Sequence, residues 1–153
     1  RIGVFLCDCG GNLSRVIRFP DVVAALGKLA DIGYVHLGHR LCSEEERERM
    51  VSEVQERGID RVVIGACSPE LYEGTFGDVL ERAGMNPYLM CMANLREQCA
   101  WVYRDRGKAT EKAKTLIRRA LSRARLLEPI EQEHISVSRD VLVIGCFTDI
   151  IPI

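Results

Sequence analysis

The alternation of short apolar runs with longer amphipathic stretches constrains this chain most. Ile2–Cys7, residues 34–37, Arg61–Ala66 and residues 88–92 have the length and side-chain character of buried strands. Between them lie segments of helical period: residues 21–29 with Pro20 near the start, residues 44–57 ending at Gly58, and residues 69–83, helical in their second half and closing at Gly84. Residues 95–103 predict a short helix and residues 109–127 a long one. In the long one Ala113, Leu116, Ile117, Ala120, Leu121 and Ala124 form an apolar stripe that Pro129 stops. This order predicts an α/β fold: a doubly wound, mostly parallel sheet of about four to five strands with crossover helices.

After the long helix the pattern changes. Residues 1–130 read as one cysteine-rich α/β domain, and residues 131–153 as a connector followed by the incomplete first strand of a second domain. Within the connector Ile135 and Val137 alternate as in a strand, and residues 141–144 form a fully apolar run. A chain of 153 residues with 47% hydrophobic content can bury a core without metals or disulfides. The net charge of −1 gives no electrostatic reason to expect nucleic acid or an anionic membrane as partner. No apolar run approaches the roughly 20 residues that a bilayer span requires. The chain opens at Arg1 directly into a strand, with no charged and apolar leader, so a cytoplasmic location is expected.

Seven cysteines stand out in such a composition, and an odd number fits poorly with complete internal pairing. Metal binding, redox chemistry and plain burial are the readings left. In a parallel sheet with crossover helices, every strand ends at the same edge. Cys7 ends the first strand, and Cys9 sits in the turn after it beside Gly10 and Gly11. Cys42 lies past the second strand, Cys67 directly follows the third, and Cys99 falls in the helix after the fourth. Five cysteines are thus predicted at one edge, where helix N-termini stabilise thiolates.

Four thiolates are the usual first shell of a cubane iron–sulfur cluster or of zinc, and spacing does not separate the two. The dispersed ligands differ from the paired C-x-x-C units of structural zinc knuckles. Cys7 also suits a core position at the end of its strand, Cys91 reads as core, and Cys146 stands in the tail. His36, His39 and His134 read as surface or satisfied histidines, with His39 close to Cys42 in sequence. Arg40, Arg96 and Lys108 are candidates to offset the charge of a cluster. Gly74-Thr75-Phe76-Gly77 lacks the spacing of a dinucleotide or P-loop phosphate cradle.

With the cysteines placed, several segments in order resemble a known family. They are Ile2-Gly3-Val4-Phe5-Leu6-Cys7-Asp8-Cys9-Gly10, Ala66-Cys67-Ser68-Pro69, Asn86-Pro87-Tyr88, Ala93-Asn94-Leu95-Arg96-Glu97-Gln98-Cys99, and the helix 109–127 running into Leu127-Glu128-Pro129. They are similar to the N-terminal iron–sulfur domain of the heterodisulfide reductase A polypeptides, over about residues 1 to 145. That family comprises large cytoplasmic flavoproteins of methanogens and other anaerobes, in which this domain precedes an FAD domain and ferredoxin-type domains. The resemblance implies a [4Fe-4S] cluster, an electron-transfer role, and partners among other heterodisulfide-reductase-type subunits, the flavoprotein domain and electron-donor subunits. It carries ligand candidacy onto Cys9, Cys42, Cys67 and Cys99, with Cys7 in reserve.

One departure is sharp. In the family, a strand like Val141-Leu142-Val143-Ile144-Gly145 leads into G-x-G-x-x-G, whose glycines let the backbone approach a pyrophosphate. Here Gly145 is followed by Cys146-Phe147-Thr148-Asp149-Ile150. FAD is therefore expected only in a following domain, and the isolated chain is not expected to be catalytic. Two other readings stand beside the electron-transfer module: a thiol/disulfide protein using Cys7-x-Cys9, and a non-redox interaction domain with structural cysteines.

Overall fold

The computed structural model describes residues 1–131, 133, 135–138 and 140–142. Four strands, β1 (Ile2–Cys7), β2 (Ile32–Gly38), β3 (Arg61–Ala66) and β4 (Met90–Asn94), form one sheet in the order β2-β1-β3-β4. Every pairing is parallel. The chain steps from β1 outward to β2, then crosses back to β3 and β4 on the other side. Helices α1 (Phe19–Leu26) and α4 (Arg106–Ala124) pack together on one face, and α2 (Glu44–Glu56) and α3 (Pro69–Arg82) on the other. The sheet is therefore doubly wound, and the winding reverses between β1 and β3. At such a switch point the crossovers part and leave a crevice beyond the C-terminal ends of the strands.

Alternation along β1 feeds both layers. Val4 and Leu6 enter the core under α1 and α4 with Ile17, Phe19, Val22, Ile117 and Leu121. Phe5 and Cys7 enter the core under α2 and α3 with Met50, Val54, Ile64, Phe76 and Leu80. Buried on both faces, β1 and β3 have the continuous apolar character of central parallel strands. Helix ends follow local chemistry. The Asp105 carboxylate accepts the Lys108 N–H at 2.7 Å and opens α4. At the end of α3, Gly84 adopts φ +77° and lets the Met85 N–H turn back to the Leu80 carbonyl at 2.8 Å.

The elements depart from the sequence expectation mainly at their ends. Helix α1 begins at Phe19, because Pro20 fits a first helical turn, where an amide proton is not needed. Helix α3 is helical from Pro69 for the same reason. Strand β4 lies two residues later than expected, since residues Pro87–Leu89 form a 3₁₀ turn, in which the Asn86 side chain accepts the Tyr88 N–H at 3.0 Å. The short helix after β4 is a five-residue π-helical turn, Arg96–Ala100. The sheet has four strands among the described residues. Ile135 and Val137 join no strand and stand 78% and 76% exposed. His134, Cys146 and the expected strand from residue 143 onward lie outside the described residues. No helix among the described residues is long and apolar enough to cross a membrane.

Candidate metal centre

The C-terminal ends of β1 and β3 flank the switch point, and each delivers a thiol there. Cys7 is the last residue of β1, buried against the α2 and α3 side. Beyond it Cys9, Gly10 and Gly11 all have positive φ (52°, 68° and 87°), a left-handed run that is cheap for the glycines and strained for Cys9. The run folds Cys9 back until its Sγ lies 3.6 Å from that of Cys7. Asp8, between the two cysteines, ties the turn down: its carboxylate accepts the Gly11 N–H at 3.1 Å and lies 2.9 Å from His39 Nδ1. The Gly10 N–H donates to the His39 carbonyl at 2.8 Å, so the loops after β1 and β2 are clamped together. Cys42 is exposed in the second of these loops, just before α2. Cys67 is buried immediately after β3, ahead of the first turn of α3.

These four thiols line one cavity of about 160 Å³. Leu41, Ala66, Phe76 and Tyr72 supply its less polar wall, Arg40 and Arg96 complete the lining, and the Arg96 charge acts on Cys67. Among the described residues, no three His, Cys, Asp or Glu side chains converge tightly enough to hold a single metal ion.

Hydrogen bonds decide which sulfur takes charge. The backbone N–H groups of Cys9 and Leu41 donate to Cys7 Sγ at 3.3 and 3.4 Å. The hydrogen bond from the Cys9 thiol, together with these amides, outweighs burial and lowers Cys7 from 9.0 to about 7. Cys67 is lowered to about 7 as well, first by the Cys9 thiol and then by the Arg96 guanidinium. Cys9 is pushed strongly up, because its proton serves Cys67 and Cys7. Cys7 and Cys67 thus favour negative charge, the form that ligates metal, while Cys9 holds the shared proton that a bound metal would displace.

Cys99 is not brought to this cavity. It lies in the π-helical turn with its side chain wholly buried under α4, and its Sγ donates to the Ala109 carbonyl at 3.1 Å. Burial pushes its thiol up, as a small core residue requires. Cys91 is half-buried in β4, and burial raises it too. His36 is paired with Glu46 at 2.7 Å beside Tyr34, away from the thiols. Lys108 sits in the first turn of α4 and does not line the cavity. Tyr72 and Phe76 reach the cavity although nothing in the sequence reading singles them out. Their i, i+4 spacing, starting five residues after Cys67, is the signal that could have found them.

No protein-family profile matches the chain. Among curated proteins, it is 43% identical over 146 residues to the A subunit of the ferredoxin/F420H2-dependent CoB-CoM heterodisulfide reductase of Methanosarcina acetivorans, covering 95% of this chain and 18% of that protein. It is 43% identical to the A subunit of the H2:CoB-CoM heterodisulfide,ferredoxin reductase of Methanothermobacter thermautotrophicus, covering 95% of this chain and 22% of that one. With an iron-sulfur A subunit of the CoB-CoM heterodisulfide reductase of Methanopyrus kandleri the identity is 41%, over the same 95% and 22%. The chain thus spans about a fifth of the length of the curated relatives it matches. Over nearly all of its own length, this chain is a homologue of one segment of the A subunit of heterodisulfide reductase.

Proposed function

We propose that Cys7, Cys9, Cys42 and Cys67 hold a [4Fe-4S] cluster, and that the chain is an electron-transfer module of a heterodisulfide-reductase-A-like oxidoreductase. The observation that carries this reading is the convergence of four thiols from three separate loops on one cavity at the switch point. Four thiolates are the protein's usual contribution to a cubane cluster. Four thiolates also suit zinc, so metal analysis must separate the two. Cys99, offered by the sequence, is left out of the ligand set because its thiol is turned into the core.

When bound, such a cluster supplies one-electron transfer. The residues of this chain do the rest. Cys9 and Leu41 aim N–H groups at Cys7. Arg40 and Arg96 offset negative charge, while Leu41, Ala66 and Phe76 limit water. The printed names of the relatives describe subunits of larger reductases. The proposed partners of this module are accordingly a flavoprotein domain, other subunits of that kind and an electron donor, all in the cytoplasm.

Anaerobic purification followed by iron and acid-labile sulfide analysis tests the reading. About four irons per chain are expected, with a paramagnetic signal on reduction. Colourless protein holding stoichiometric zinc overturns it. A second reading, a Cys7-x-Cys9 dithiol working by disulfide exchange, draws on the 3.6 Å between those sulfurs. It requires only two thiols, so redox activity that survives replacement of both Cys42 and Cys67 by serine favours it over the cluster.

A further inference from the structure

We infer that Arg96 sets the reduction potential of the proposed centre, with Glu97 as its opposing charge and Trp101 as its clamp; the inference rests on the cluster reading above. Arg96 opens the π-helical turn that follows β4, and its side chain lines the thiol cavity. Only 25% of that side chain is exposed. Two contacts hold it in place. Its Nε donates to Glu97 Oε1 at 2.9 Å, and its guanidinium lies 5.4 Å from the centroid of the Trp101 ring.

The turn is itself anchored to the sheet. The Glu97 N–H donates to the side chain of Asn94, the last residue of β4, at 3.0 Å. The second carboxylate oxygen of Glu97 is buried without a hydrogen-bond partner among the described residues. Trp101 is 70% exposed, so the ring contributes little to the core; what it covers is the guanidinium. Short π-helical segments recur at functional sites, and this one places cation, anion and ring within six residues. Arg40 also reaches the cavity but stands exposed, where water screens its charge.

A thiolate-ligated cluster is negative and becomes more so when it takes up an electron. A fixed cation in the wall favours the reduced state, and a fixed anion opposes it. Arg96 and Glu97 therefore pull in opposite directions, and their replacement must shift the potential with opposite signs. A residue that merely supports the fold gives no such signature.

The test is a dithionite titration of the anaerobically purified chain, followed by EPR, with iron content measured on every sample. Arg96→Gln is expected to shift the midpoint potential downward and Glu97→Gln upward, both with wild-type iron. Arg96→Lys keeps the charge and should stay nearer to wild type. Trp101→Ala, which removes no charge, should give a smaller downward shift as the guanidinium swings into solvent. If Arg96→Gln fails to fold or load, Glu97→Gln and Trp101→Ala decide the matter by their opposite shifts. Iron-loaded variants whose potentials stay at the wild-type value, or move in one common direction, overturn the role of Arg96 and leave the cluster standing. Wild-type protein without iron overturns both.

Discussion

The two ends of the parallel sheet are finished with different chemistry. At the N-terminal end charge meets charge: Arg125, at the close of α4, forks onto the Asp31 carboxylate at 2.7 and 3.2 Å just ahead of β2. Two guanidinium N–H groups thus meet both oxygens of the carboxylate. At the C-terminal end thiols from three loops line a cavity, with two amide N–H groups on Cys7 Sγ and the Arg96 charge acting on Cys67. One end is closed by pairing; the other leaves four thiols on a cavity, where the cluster is proposed. Cys99 sharpens the contrast from within the second end. Its thiol gives a hydrogen bond to the Ala109 carbonyl at 3.1 Å, whereas Cys7 receives two from amides and reaches the His39 carbonyl only at 3.9 Å. Burial keeps the proton on Cys99, and hydrogen-bond donors favour its loss from Cys7.

The largest expected effect separates these thiols. Cys67→Ser should bring iron from about four per chain to below about one, since one lost thiolate opens the first shell. Cys99→Ala should leave the iron unchanged. Metal analysis of the two variants after identical anaerobic preparation is sufficient. Equal iron in both, or loss only from Cys99→Ala, breaks the distinction between cavity and core thiols.

The next effect is energetic and falls on the body of the sheet. Ile117 is wholly buried between α4 and the strands, and Ile117→Ala should cost about 2–4 kcal/mol in urea unfolding. At temperatures where it is folded it should still load iron, because it does not line the cavity. Cys99→Ala removes a smaller buried group and should cost about 1 kcal/mol. If instead Cys67→Ser destabilises the metal-free protein as much as Ile117→Ala does, the thiol end is part of the structural core and the contrast drawn above fails.

The same division governs how much was legible in the sequence. Buried apolar runs fix strands sharply, so Ile2–Cys7 and Arg61–Ala66 match the expected limits residue for residue. Limits set by caps were less visible: Pro20 and Pro69 fit first helical turns, and Asn86 diverts Tyr88 into a 3₁₀ turn. For the site, counting which loops end at one edge was enough to gather Cys7, Cys9, Cys42 and Cys67. It was not enough for Cys99, because edge position says nothing of the direction a side chain takes. A π-helical turn winds differently from an α-helical one. The signal present was the i, i+4 pair Leu95 and Cys99, both wholly buried, which marks an inward face. Arg96, one residue past Leu95, could be named as a charge but not as a wall, since its place depends on Glu97 and Trp101.

The smallest effect tests the closed end. Asp31→Asn removes the fork to Arg125, whose hydrogen bond holds the Asp31 carboxyl below its ordinary range. A carboxylate with a depressed folded-state pKa stabilises the fold above its unfolded value near 3.9, and that contribution is lost as pH falls through the folded value. Both side chains are 42% exposed, so solvent and salt screen the pair. The cost of Asp31→Asn at neutral pH should be within about 0.5 kcal/mol, shrinking further in high salt. Urea unfolding at pH 7 and at pH 3 measures it: the wild-type advantage should narrow at the lower pH, while iron content at pH 7 does not change. A loss of several kcal/mol, or any loss of iron, means that the two ends are coupled through the sheet and that pairing at one prepares the other.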